Sequence, residues 1–204
     1  MKESSFEQKI AFIFRVIAIP PVMATVLLFL MWFNGTEIAS VRELIVSLIF
    51  LVAVPIAAYP VSLIVPKIRE GGRKAQRELA FWFSGFGYIA AVVYGVAFHK
   101  SQGLNFIFLT YLTSVLLLAV VNRFSKVRAS GHGCGVIWPV LIGCYYYKLI
   151  GAVVGIAIFA ACFWSSVTTK RHTAAEFLLG ALICIVSAGI STLCVYSLNL
   201  PMLF

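Results

Sequence analysis

Residues 150–186, "IGAVVGIAIFAACFWSSVTTKRHTAAEFLLGALICIV", set two long apolar runs around a short segment, 168–176, that gathers two cations, a histidine and a carboxylate. A bilayer crossing needs about 20 mainly apolar residues, because roughly 30 Å of hydrocarbon is covered at about 1.5 Å per residue. The runs therefore read as membrane helices and the polar stretch between them as a loop at the membrane surface.

The same pattern repeats along the chain. Of 204 residues, 62% are hydrophobic and only 11% are charged, and the mean hydropathy is +1.01, a composition outside the range of soluble domains. Alternating ten-residue segments of the barrel type are missing, so helices that satisfy their own backbone hydrogen bonds are the expected spans. Apolar segments near 10–33, 41–65, 80–98, 103–121, 133–147, 149–164 and 173–197 predict an all-α polytopic transmembrane bundle of six or seven helices, forming one integral membrane domain over 1–204. The two segments flanking Lys148 are each shorter than a full span. Pro20, Pro21, Pro55 and Pro60 read as kinks, and Gly151 with Gly155 as a small-residue pair that lets backbones approach. The N-terminus lacks a small-residue cleavage site, which argues against a cleaved signal. Cys134, Cys144, Cys162, Cys184 and Cys194 lie in apolar surroundings without metal-ligand spacing and read as packing residues.

Charge is concentrated in three segments. Residues 66–79 carry Lys67, Arg69, Arg73, Lys74 and Arg77; residues 122–135 carry Arg123, Lys126 and Arg128; residues 165–176 carry Lys170 and Arg171. Two helices separate each segment from the next, so all three are expected on one face, together with Lys2, Lys9 and Arg15. The opposite side receives Arg42, Lys100 and Lys148. The positive-inside rule predicts a cytoplasmic N-terminus and basic face, in an inner or plasma membrane, whereas cations gathered for an anion-binding site would carry no topological message and leave the side open.

Two of the three histidines fall on this face, and the third, His99, on the other. His132 lies in "RASGHGCG", where Ser130, Gly131, Gly133 and Gly135 allow close approach of backbone amides to an anion. His172 precedes Glu176 by four residues, which places the carboxylate on the same side of a first helical turn. An acid there fixes the imidazole tautomer and raises the nucleophilicity of the other ring nitrogen. Cations to neutralise a phosphate, one histidine to attack phosphorus, another to protonate the leaving oxygen and an acid to orient the nucleophile suit phosphoryl transfer through a phosphohistidine.

The order of a basic segment, then "ASGH" at 129–132, then "SSVTTKRHTAAE" at 165–176, resembles the three motifs of the type 2 phosphatidic acid phosphatase superfamily, K-x6-R-P, P-S-G-H and S-R-x5-H-x3-D. The resemblance covers residue 67 to the last helix. It implies that His172 is the nucleophile, His132 the general acid and Glu176 the orienting acid. Ser130 and Gly131 match the serine and glycine before the general acid and are expected to hold phosphate oxygens, and the cations Lys67, Arg73, Arg77, Lys126, Lys170 and Arg171 of the basic face are expected to meet the substrate phosphate. Ser165 matches the serine that opens the third motif. The chain departs from the pattern at Ser166, where the family has an arginine, at Ala129, where it has a proline, and in a first motif without Arg-Pro. "KRHTAAEFLLG" is similar to a variant branch whose third motif ends in R-H-T followed by a non-aspartate.

The expected activity is hydrolysis of a lipid phosphate or isoprenoid diphosphate, with a membrane lipid as substrate and neither metal nor other cofactor. A non-catalytic lipid-phosphate binder or lipid transporter is the alternative, motivated by Ser166. Membrane prenyltransferases and alcohol phosphotransferases are disfavoured because the chain contains no aspartate to bind magnesium diphosphates. A nucleic-acid partner is disfavoured because the net charge of +9 is spread over membrane-flanking loops.

Overall fold

A computed structural model describes residues 6–17, 19–35 and 37–197. Lys2 and the side chain of Arg15 lie outside the described residues. Among the described residues the chain is all-α with eight helices, five of them long and apolar enough to cross a membrane. We number them α1 (Phe6–Ile17), α2 (Pro20–Asn34), α3 (Val41–Ile64), α4 (Pro66–Glu70), α5 (Gly72–Ala97), α6 (Gln102–Phe124), α7 (Gly131–Thr168) and α8 (Ala174–Tyr196). The five long helices are α3, α5, α6, α7 and α8, and the chain is a membrane protein.

This partition corrects the six or seven helices expected from hydropathy. The run 10–33 is two helices, one ending at Ile17 and one starting at Pro20, because the Pro20-Pro21 pair opens a new helix where missing N–H groups cost nothing. The charged stretch 66–79 contains the five-residue α4 before α5 begins. The two short runs flanking Lys148 are limbs of α7, which is interrupted at Lys148 by a non-helical backbone (φ 50°, ψ −123°).

The helices fall into two compact units, and the division passes through α6 and α8. The first unit comprises Met1–Asn34 and Leu117–Val186. Here α7 folds back on itself at Lys148: a Cβ on Gly151 would collide with the carbonyl of Gly143, and one on Gly155 would lie 2.7 Å from Val140. The small-residue pair thus closes an antiparallel hairpin, bringing backbones into the contact that drives helix association in lipid. Helix α2 follows the first limb, from Pro20 beside Gly135 to Asn34, whose Nδ2 donates to the Tyr147 hydroxyl at 3.1 Å. Met23, Val136, Cys162 and Phe177 form the buried core between them, with the rings of Phe159 and Phe163 packed on Phe177 at 5.5 and 5.6 Å. Helix α1 is tied to the end of the second limb, where the Ser165 hydroxyl donates to the Ala11 carbonyl.

The second unit comprises Gly35–Leu116 and Ser187–Phe204. A wide π turn, Ile49–Ala53, stands immediately before Pro55 in α3. It moves carbonyls away from a ring that would otherwise clash with the preceding turn. Helices α3 and α5 run antiparallel, from Gln76 Nε2 donating to Ser62 Oγ at 2.9 Å to the Lys100–Glu43 ion pair at 2.9 Å. Tyr88 of α5 meets Tyr111 of α6 edge-on at 5.3 Å. The Thr113 and Ser191 hydroxyls share a 3.3 Å hydrogen bond between α6 and the end of α8.

Candidate active site

The site candidates of the first unit lie where two helices begin. Ser130 is the N-cap of α7: its backbone is extended (φ −85°, ψ 120°) and its hydroxyl accepts from the Gly133 amide at 3.2 Å. Thr173 caps α8 in a reciprocal box, its hydroxyl accepting from Glu176 N at 3.2 Å while Glu176 Oε2 accepts from Thr173 N at 2.9 Å. The Ser130 amide donates to the Glu176 carbonyl at 2.9 Å, which fastens the two starts together. Such an approach needs small residues at the crossing. A Cβ on Gly133 would strike the Phe177 backbone, and one on Gly180 would strike the Ser130 carbonyl.

His132 is therefore in the first turn of α7, and His172 stands immediately before the cap of α8; both are half-buried. His172 Nδ1 lies 3.4 Å from Glu176 Oε2. The carboxylate thus faces two groups at once, the imidazole and the Thr173 amide. Helix N-termini carry partial positive charge on amides without intrahelical partners. Two of them meet at this end, with Lys126, Arg128, Lys170 and Arg171 exposed on the adjoining loops. Gly131 is exposed, and a Cβ there would meet nothing within 4 Å, whereas Ser130 is fully buried and its hydroxyl is committed to its cap.

The chain reaches His172 through an αL stop at the end of α7. Lys170 has φ 51°; its amide donates to Val167 O at 2.9 Å and that of Arg171 to Ser166 O at 3.2 Å, the paired bonds of a Schellman motif. Glycine is the usual residue at such a position, and lysine there costs about 1 kcal/mol or more of backbone strain. Ser166 is 2% exposed, and its Oγ has no hydrogen-bond partner among the described residues. Its carbonyl also receives the His172 amide at 3.5 Å.

Three positioning residues escaped the sequence reading. Asn122 brackets the backbone of Ala129, accepting from its amide at 2.6 Å and donating to its carbonyl at 3.3 Å. That bond needs an N–H at 129, a physical reason for alanine where the resembled motif has proline. Thr173 is legible only as the first member of a T-x-x-E capping box, and Gly180 only as a lone glycine in an apolar helix.

Lys67, Arg73 and Arg77 belong to the second unit, on α4 and the first turns of α5, and all are exposed. His99 also belongs there; with φ 48° it terminates α5, its neighbour Lys100 donating to Gly95 O at 2.9 Å. The Lys100 amine is held by the Glu43 carboxylate and lies 5.5 Å from the Tyr94 ring centroid. The hydrogen bond it donates to Glu43 raises its pKa above the ordinary lysine value, against an opposing effect of burial.

No known protein family, no curated protein and no solved structure matches the chain.

Proposed function

We propose that this membrane protein is a phosphatase acting on a lipid phosphate or isoprenoid diphosphate through a phosphohistidine, a divergent member of the type 2 phosphatidic acid phosphatase superfamily. The observation that carries the reading is the Ser130–Glu176 backbone bond, which joins the loops of His132 and His172 at two helix N-termini among exposed cations. With His172 Nδ1 turned to Glu176, Nε2 is the attacking nitrogen. It forms a bond to phosphorus as the bond to the lipid oxygen breaks, and His132 donates the proton that oxygen needs. In the second step His132 takes a proton from water, water oxygen bonds to phosphorus, and the P–N bond breaks to release phosphate. Amides at the open start of α7, with Lys126, Lys170 and Arg171, offset charge on the phosphoryl oxygens. The reading places the N-terminus and this end of the first unit in the cytoplasm of a cell with an inner or plasma membrane.

The test is inorganic phosphate release by the purified protein with chelator present, from a panel of lipid phosphates and isoprenoid diphosphates. Release that His172→Ala abolishes in folded protein supports the reading; release that survives the substitution overturns the assigned nucleophile.

A second reading, a lipid-phosphate binder without turnover, is favoured by one observation. The position that carries arginine in the resembled motif is here a buried serine. Saturable binding of a polyprenyl phosphate with no phosphate released, unchanged in His132→Ala, is its expected result.

A further inference from the structure

Helix α1 is attached to the first unit by the side that the sequence makes least apolar. Ala11 is fully buried and receives the Ser165 hydroxyl. Phe6, Ile10, Ile13 and Phe14, at helical spacings of four, three and one, share another face roughly 120° round the helix from Ala11. On that face Phe6 is 79%, Ile13 55% and Phe14 42% exposed. An amphipathic helix that packs on its own protein normally buries its apolar stripe. Here the stripe points away from the protein and continues through Lys9 to Val16 (46% exposed) and Phe12 (52%) as a broad exposed arc, with the exposed Gln8 nearer the Ala11 side.

What covers this stripe follows from where α1 sits. It precedes α2, whose exposed Val26, Phe29 and Phe33 belong to the apolar surface that a membrane protein turns to lipid; α1 ends at Ile17 and α2 begins at Pro20. It is fastened to Ser165, at the end of the hairpin that carries Lys170 and Arg171. A short helix that leaves a broad apolar arc exposed opposite its polar side, beside exposed cations at the end of membrane helices, fits the boundary between lipid headgroups and acyl chains.

We infer that α1 is an interfacial anchor that lies in the leaflet with Phe6, Ile13 and Phe14 inserted. Through the Ser165–Ala11 bond it holds the end of α7, and with it the loop to His172, at the depth of lipid phosphates. The partner is the lipid leaflet itself. The helix's depth can be read without phosphate turnover, so the inference stands or falls separately from the phosphatase reading.

The test is site-directed spin labelling of the full chain in phosphatidylcholine–phosphatidylglycerol vesicles. Cys144 and Cys194, the two cysteines not buried, are replaced by alanine, and single cysteines are placed at Ile13, Phe14 or Gln8. Labels at 13 and 14 are expected about 5–10 Å below the phosphate plane, with oxygen access exceeding access to a polar nickel reagent. A label at Gln8 is expected to reverse that ratio. Equal, nickel-dominated access at all three positions would place α1 in water and overturn the inference. Exclusion of both reagents from 13 and 14 would mean that protein, such as a second copy of the chain, covers the stripe, and would overturn it too.

Discussion

His172 Nδ1 and Glu176 Oε2 stand 3.4 Å apart across one helical turn, and the same oxygen accepts the Thr173 amide at 2.9 Å. One carboxylate thus both starts a helix and faces the histidine assigned to attack phosphorus. The two duties separate by substitution. Glu176→Gln keeps an acceptor for the Thr173 amide but removes the charge, so phosphate release is expected to fall by roughly 10²-fold with little change in Tm. Glu176→Ala removes the cap as well, and is expected to add a stability loss of about 0.5–1 kcal/mol in thermal unfolding. Equal losses of activity and stability in both variants would assign Glu176 to the cap alone.

Lys170 occupies a left-handed position that glycine fills without strain. Lys170→Gly is expected to raise Tm slightly, by relief of about 1 kcal/mol offset by the freer unfolded chain, while lowering phosphate release by about 10²-fold through loss of a cation. Lys170→Ala loses the cation and keeps the strain, so its activity should match the glycine variant and its Tm should not rise. Wild-type activity in both would remove Lys170 from phosphate binding.

Gly180 and Gly189 lie on one helix in opposite circumstances. A Cβ at 180 meets the Ser130 carbonyl, whereas a Cβ at 189 meets nothing within 4 Å. Gly180→Ala is expected to cost about 1–3 kcal/mol by forcing α7 and α8 apart and to impair phosphate release. Gly189→Ala is expected to stabilise by up to about 1 kcal/mol, as alanine does in a helix. Thermal unfolding of the two variants in one detergent measures the contrast, and a reversed order would contradict the crossing.

The Lys100–Glu43 pair predicts an alkaline limit. Because Lys100 is raised above the model-peptide value of 10.5 in the folded chain, its contribution is fully present below that pH. It is lost as pH rises through the higher folded value. Unfolding scans above pH 10 should show a decline in wild type that Glu43→Gln flattens. An identical decline in both would locate the alkaline transition elsewhere.

Membrane class and helical content were legible because hydropathy alone forces them: the apolar runs are long, and lipid leaves the backbone no other partner. The break before α2 was hidden because a double proline inside an apolar run has the same appearance whether it kinks a helix or opens one. Lys148 was readable as an interruption, but the reversal there depends on Gly143 meeting Gly151, a contact that sequence does not display. Ser130 was read as a phosphate ligand and Glu176 as the acid orienting His172, because serine and glutamate near a basic loop serve caps and sites equally well. Ser130 and Glu176 show that a cap and a site can draw on one set of side chains. Gly180 and Asn122 carried no such signal, since each acts only on backbone brought to it by the fold.

The reversal at Lys148 also fixes a parity. The chain leaves the His132 loop, turns once, and comes back before it reaches His172, so the two imidazoles travel as a pair during insertion. Were molecules inserted in both orientations, each compartment would receive complete histidine pairs and none would receive halves. A reporter placed at residue 148 would then mark the compartment opposite the histidine pair.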